Sequence, residues 1–154
     1  MVERCFRIAE VWVRVPLGPK MVKDFMKKEI GRAGEEMAIE FLKEKGYQIL
    51  DKNYRFRPKR DLQRGEIDIV AKKEDTICFV EVKLLKEPKI EIFPEEKVSY
   101  SKAKKIIFSA QNWLSKNKIP LNSKWQIDII SIILNKGQKK IFHFENCFSD
   151  FKIV

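Results

Sequence analysis

A chain of 154 residues, 44% of them hydrophobic, is large enough for one domain around a single core and calls for no second one. With 32 Lys+Arg against 22 Asp+Glu, the net charge of +10 favours polyanionic partners such as nucleic acid, or an anionic membrane surface, over acidic ones. Cys5, Cys78 and Cys147 show no CxxC spacing and there is only one histidine, His143, so zinc knuckles, disulfide frameworks and most histidine-activated nucleophiles are disfavoured. A reducing cytoplasm fits this cysteine usage, and any metal is expected on oxygen ligands.

The first twenty residues alternate basic and apolar side chains around Val11-Trp12-Val13 and end in Pro16-Leu17-Gly18-Pro19, which reads as an edge segment followed by a break. Glu10 and Arg14 interrupt the apolar run, so the segment does not read as a secretory signal. Residues 1–25 are taken as an N-terminal extension, or an upstream start ahead of Met21 and Met26, with no role assigned. From Lys27 to Lys45 the spacing predicts a helix with Ala33, Met37, Ala38, Phe41 and Leu42 on its core stripe, ended by Gly46. Glu35 lies at the edge of that stripe. By itself it reads as a solvated acid in the first turn.

Tyr47 to Arg55 is predicted to be a strand, followed by a basic connection, Arg55-Phe56-Arg57-Pro58-Lys59-Arg60, with Arg64 beyond. Basic residues interleaved with an aromatic suit phosphate contact and base stacking. A solvated loop has the same composition, and both readings stay open. Further strands are predicted from Gly65 to Ala71 and from Thr76 to Leu84, joined by a four-residue turn, Lys72-Lys73-Glu74-Asp75. That turn pairs Ala71 with Thr76, setting Asp68 opposite Phe79 and Glu66 opposite Glu81 on one face. Asp68 and Glu81 are then diagonal neighbours about 7–8 Å apart, close enough to share a cation. A slip of one residue would send them to opposite faces.

Carboxylates inside apolar strands cost several kcal/mol unless something pairs with them. A ladder of cross-strand ion pairs among Glu66, Asp68, Glu81 and Lys83 on a wet face would be one explanation. However, Ile77 and Phe79 share the face of Glu81 while Val80 and Val82 fill the other, so neither side of the strand reads as freely solvated, and a site is the preferred reading. Lys86 to Val98, with Pro88 and Pro94, reads as a loop. Ser101 to Asn117 is an amphipathic helix with Ile106, Ile107, Ala110, Trp113 and Leu114 inward, and Lys102 is the lysine best placed to reach a phosphate. Trp125 to Leu134 and Lys139 to Phe144 form a closing hairpin. The longest apolar run, Ile127 to Leu134, is broken by Asp128 and Ser131 and is too short to span a bilayer. His143 and the Phe-rich tail to Phe151 read as packing.

The order of a helix with Glu35, a strand with Asp68, a strand with Glu81-Val82-Lys83 and then a helix is similar to the PD-(D/E)xK nuclease superfamily. More closely, Gly31-x-x-Gly34-Glu35, Lys45-Gly46-Tyr47, Asn53-Tyr54-Arg55, Gly65-Glu66-Ile67-Asp68, Phe79-Val80-Glu81-Val82-Lys83, Ser99-x-x-Lys102 and Asp128-Ile129-Ile130-Ser131 resemble the YraN-type family, related to Holliday-junction resolvases. The resemblance runs from about Gly31 to Phe148. It implies an α/β, restriction-endonuclease-like core, a central mixed β-sheet flanked by α-helices, in a single domain over residues 26–154. It also implies a metal-dependent nuclease on DNA, branched or structured DNA included, with Glu35, Asp68, Glu81 and Lys83 at the catalytic positions. Asp68, Glu81 and Glu35 would hold Mg²⁺ or Mn²⁺, and Arg55, Arg57, Arg60 and Lys102 would hold nucleic acid. Ile67 stands where the superfamily usually has proline. A non-catalytic nucleic-acid-binding protein of the same fold is the alternative, no membrane partner is expected, and a homodimer is left open.

Overall fold

The computed structural model of the chain describes residues 5–8, 11–14, 19–57, 65–86, 99–135 and 138–148. The basic stretch with Arg60 and Arg64, the loop with Pro88 and Pro94, and the tail reaching Phe151 lie outside the described residues. The chain divides into two compact units, Met1–Ala33 and Gly34–Val154.

In the first unit, β1 (Cys5–Ile8) and β2 (Val11–Arg14) pair antiparallel, with Ile8 opposite Val11. The stretch read as an edge segment contains a short hairpin. Helix α1 (Pro19–Glu44) begins eight residues before the expected Lys27, at the proline taken for a break. Proline suits a first helical position, because the N–H it lacks has no partner there and its φ is already helical. At the other end Gly46 adopts φ 86°, and the Tyr47 N–H returns to the Leu42 carbonyl at 2.9 Å, the left-handed stop that glycine accepts without steric cost.

The second unit is α/β. Its sheet contains β3 (Gln48–Phe56), β4 (Gly65–Lys73), β5 (Thr76–Lys86), β6 (Trp125–Asn135) and β7 (Gln138–Phe144), in that spatial order. Neighbours are antiparallel except β5 and β6, which are parallel and bridged by α2 (Tyr100–Lys116). This is the mixed sheet flanked by helices that the resemblance implied, consistent with a restriction-endonuclease-like core. β5 is buried on both faces: Ile77 and Phe79 join Ile106, Ala110 and Trp113 of α2, while Cys78 and Val80 join Ala38 and Leu42 of α1. Among the described residues no helix is long and apolar enough to cross a membrane.

One expectation fails at the β4–β5 turn. Lys73 pairs with Thr76, so the reversal takes two residues, Glu74-Asp75, and not four. Glu74 adopts φ 54°, a left-handed conformation that lets the chain turn in the shorter span. Ala71 is therefore opposite Cys78 and Val70 opposite Phe79. The register moves by two residues, and a shift of two preserves the face. Asp68 and Glu81 both line the cleft beside α2, at the point where the ladder ends beyond Ile69–Val80.

Candidate functional site

The β4–β5 ladder is paired from Lys73–Thr76 to Ile69–Val80, and the site begins where that pairing ends. The Asp68 carboxylate accepts the Val82 N–H at 2.7 Å, so the side chain takes over a donor that a ladder bond would otherwise use. Glu81, buried, accepts from Lys83 Nζ at 2.6 Å and from Lys102 Nζ, both on the same oxygen. Lys83 comes from two residues along β5, and Lys102 from the first turn of α2. Glu35 approaches from α1 and accepts Asn53 Nδ2 at 2.9 Å, with Asn53 held at φ 53° in β3. Asp68, Glu81 and Lys83 thus meet where β4 and β5 part, and Glu35 of α1 is near enough for its charge to act on Asp68.

The electrostatics at Asp68 record this crowding. Burial above all, then the Glu81 and Glu35 charges, push its pKa up to about 7, against the Val82 hydrogen bond and Lys83, which lower it. Burial works against the Lys83 ammonium, but the Glu81 carboxylate outweighs it and holds the lysine above its usual value. Lys83 is accordingly a fixed positive charge. Asp68 is an acid that gives up its proton near neutral pH.

Helix α2 forms one wall. Its N-cap Ser99 has extended backbone and accepts the Lys102 N–H at 3.3 Å. Farther along, Trp113 Nε1 donates to Asp51 at 2.8 Å and the Tyr54 hydroxyl to Asn112 at 2.5 Å, anchoring the helix to β3. Between this wall and the strands lies a cleft of about 340 Å³ lined by Gly65, Glu66, Asp68, Glu81, Ser99 and Lys102, among others. A second hollow, lined by Arg55, Phe56, Arg57, Gly65 and Glu66, shares Gly65 and Glu66 with it. Arg55 pairs with Glu66 at 3.2 Å on the exposed edge, Arg57 is exposed, and Arg60 is outside the described residues. Lys105, which lines the cleft beside Lys102, was not among the residues expected to bind.

His143, expected to be packing, does lie edge-on to the rings of Phe41 and Tyr47. Its Nε2 is also 2.9 Å from Oδ2 of Asp128, which is fully buried in β6. Asp128, His143 and Glu145 bring ligand atoms within 4.8 Å of one another and could hold a metal ion. A carboxylate inside an apolar run was the available signal, the same one that marks Asp68.

Residues 34–132, which carry both Asp68 and Glu81, match the family model described as Uncharacterised protein family UPF0102. The chain belongs to that family. It is the YraN-type family that the motifs resemble. UPF0102 relatives include a protein from Alkaliphilus oremlandii, 42% identical over 125 residues, 80% of this chain and 100% of the relative. Another, from Clostridioides difficile, is 44% identical over 121 residues, 79% of this chain and 97% of the relative. A third, from Persephonella marina, is 41% identical over 118 residues, 77% and 91% of the two chains. The UPF0102 names state membership and no activity.

Proposed function

We propose that this UPF0102 protein is a divalent-metal-dependent nuclease that hydrolyses phosphodiester bonds in DNA. The observation that supports it most is Asp68: a carboxyl pushed up to about 7 by burial and by Glu81, at the mouth of a cleft walled by lysines. Two acids held together in this way are relieved by a cation between them. Their oxygen donors suit a hard ion, so Asp68 and Glu81, with Glu35 beside them, would hold Mg²⁺ or Mn²⁺. When bound, the ion supplies charge at the scissile phosphate and a water of lowered pKa.

The chain's own groups supply the rest. The Val82 N–H fixes the orientation of the Asp68 carboxylate. Lys83, kept charged by Glu81, donates hydrogen bonds to the attacking water or to the phosphate oxygen as negative charge grows there. Lys102 and Lys105, with Arg57 across the adjoining hollow, hold the flanking phosphates. Arg55 joins them by leaving Glu66, and Arg60 belongs to the same basic stretch.

One observation favours a non-catalytic DNA-binding protein: Lys83 and Lys102 together neutralise Glu81 without any metal. A labelled panel of junction, flap, duplex and single-stranded DNA with Mg²⁺ or Mn²⁺, run beside Asp68→Ala and Glu81→Ala, separates the two. Cleavage that either substitution reduces by at least about a hundredfold is the expected result. Binding across the panel with no cleavage under either metal leaves the binding protein as the answer.

A further inference from the structure

We propose that Asp128, His143 and Glu145 form a second, transition-metal site, of the kind that takes Zn²⁺, on the sheet face opposite the Asp68–Glu81 cleft. The opposition follows from register: Val80 pairs with Asp128 and packs toward α1, whereas its neighbour Phe79 packs toward α2. His143 is opposite Ile130, and the same β6–β7 register continued by two residues brings Glu145 across from Asp128. The donors are thus one imidazole nitrogen and two carboxylates, a set that suits zinc better than magnesium.

What distinguishes this cluster from acids that merely happen to be close is that each donor is already aimed by another group. Asp128 Oδ1 accepts Gln126 Nε2 and the Asn146 N–H, both at 2.9 Å, which turns Oδ2 toward His143. The His143 ring is set edge-on against Phe41 and Tyr47. Glu145 accepts the Tyr47 hydroxyl at 2.8 Å. Metal-ligating groups are oriented in this way by outer partners, and loss of such a partner weakens metal binding by about ten- to a hundredfold. His143 Nε2 and Asp128 Oδ2 are 2.9 Å apart, and a tetrahedral ion with bonds of about 2.0–2.1 Å spans about 3.3 Å between two ligands, so the pair opens by a few tenths of an ångström to take it. A divalent ion takes the place of the hydrogen between them: from an imidazolium that proton leaves to solvent, and in the neutral ring it passes to Nδ1, which frees Nε2 to ligate. Glu145 is exposed and opens the site to solvent, while Asp128 is fully buried.

Zn²⁺ titration of the full chain carrying Asp68→Ala and Glu81→Ala isolates this site from the cleft, so the result stands whether or not the protein cuts DNA. The expected result is one equivalent of Zn²⁺ per chain with a Zn²⁺-dependent rise in Tm. Adding Glu145→Gln, an exposed position that leaves the fold intact, weakens binding at least about tenfold, and His143→Gln does so too. Co²⁺ in place of Zn²⁺ gives visible absorption bands that the same variants lose. Failure of the Asp68/Glu81 variant to bind Zn²⁺, or binding that Glu145→Gln leaves unchanged, overturns the proposal.

Discussion

Asp68 is a residue whose proposed role and structural cost have the same origin. Its pKa of about 7 in the folded chain lies well above the 3.8 of a free aspartate, so between those values the folded state binds more protons than the unfolded one. Stability falls as pH rises wherever that holds. Asp68 therefore costs nothing below about pH 4, an increasing amount up to about pH 7, and a constant amount above it. Asp68→Asn keeps an acceptor for the Val82 N–H and removes the titrating group. In metal-free buffer the variant is expected to match the wild type near pH 4 and to exceed it by about 1–3 kcal/mol at pH 8, measured by urea denaturation across the pH range. Addition of Mg²⁺ raises the wild type and not the variant. Equal stability of the two at pH 8 would mean that Asp68 carries no penalty and that the crowding with Glu81 is not felt.

The elements place such residues, and the sequence made the elements easier to read than their joints. Strands β4 to β6 and helix α2 follow from hydrophobic period, because burial selects for it. The length of the β4–β5 turn does not, since nothing in Glu74-Asp75 announces that a glutamate will take φ 54°. The start of α1 was missed for a related reason: a proline reads as a break or as a first turn depending on what precedes it. Asp68 and Glu81 stood out as acids in apolar strands. Asp128 stood out in the same way, but its partner His143 becomes visible only once β6 and β7 are in register.

The approach of α2 to β4 also has a readable trace in Gly65. A Cβ there would lie 1.9 Å from Ser109 Oγ and 2.7 Å from the Lys105 carbonyl oxygen. The serine hydroxyl can turn away, but the carbonyl belongs to the helix backbone, so the helix would have to move. Gly65→Ala is expected to lower stability by about 1–3 kcal/mol. Combining it with Ser109→Ala recovers only part of that loss in a double-mutant cycle. Full recovery would put the clash in the hydroxyl alone and remove the reason for glycine.

At the scale of the whole molecule, a net charge of +10 leaves two forms for the proposed DNA binding, which a single affinity cannot tell apart. Diffuse attraction spreads over every lysine, whereas a track engages the charges beside the cleft. Each phosphate neutralised on duplex DNA contributes about 0.9 to the slope of log affinity against log salt concentration. Arg57, Lys102 and Lys105 lie along the two adjoining hollows, while Lys45 sits over the Phe41 ring on the α1 face. With the track, Arg57→Ala and Lys105→Ala each lower the slope by about 1, and Lys45→Ala leaves it unchanged. With diffuse attraction all three lower the affinity slightly and alike. Fluorescence anisotropy with a labelled duplex from about 50 to 200 mM salt, without divalent ions so that nothing is cut, reads the difference directly. Equal effects from Lys45 and Lys105 would dissolve the proposed track, and the cleft would then have no claim to the DNA.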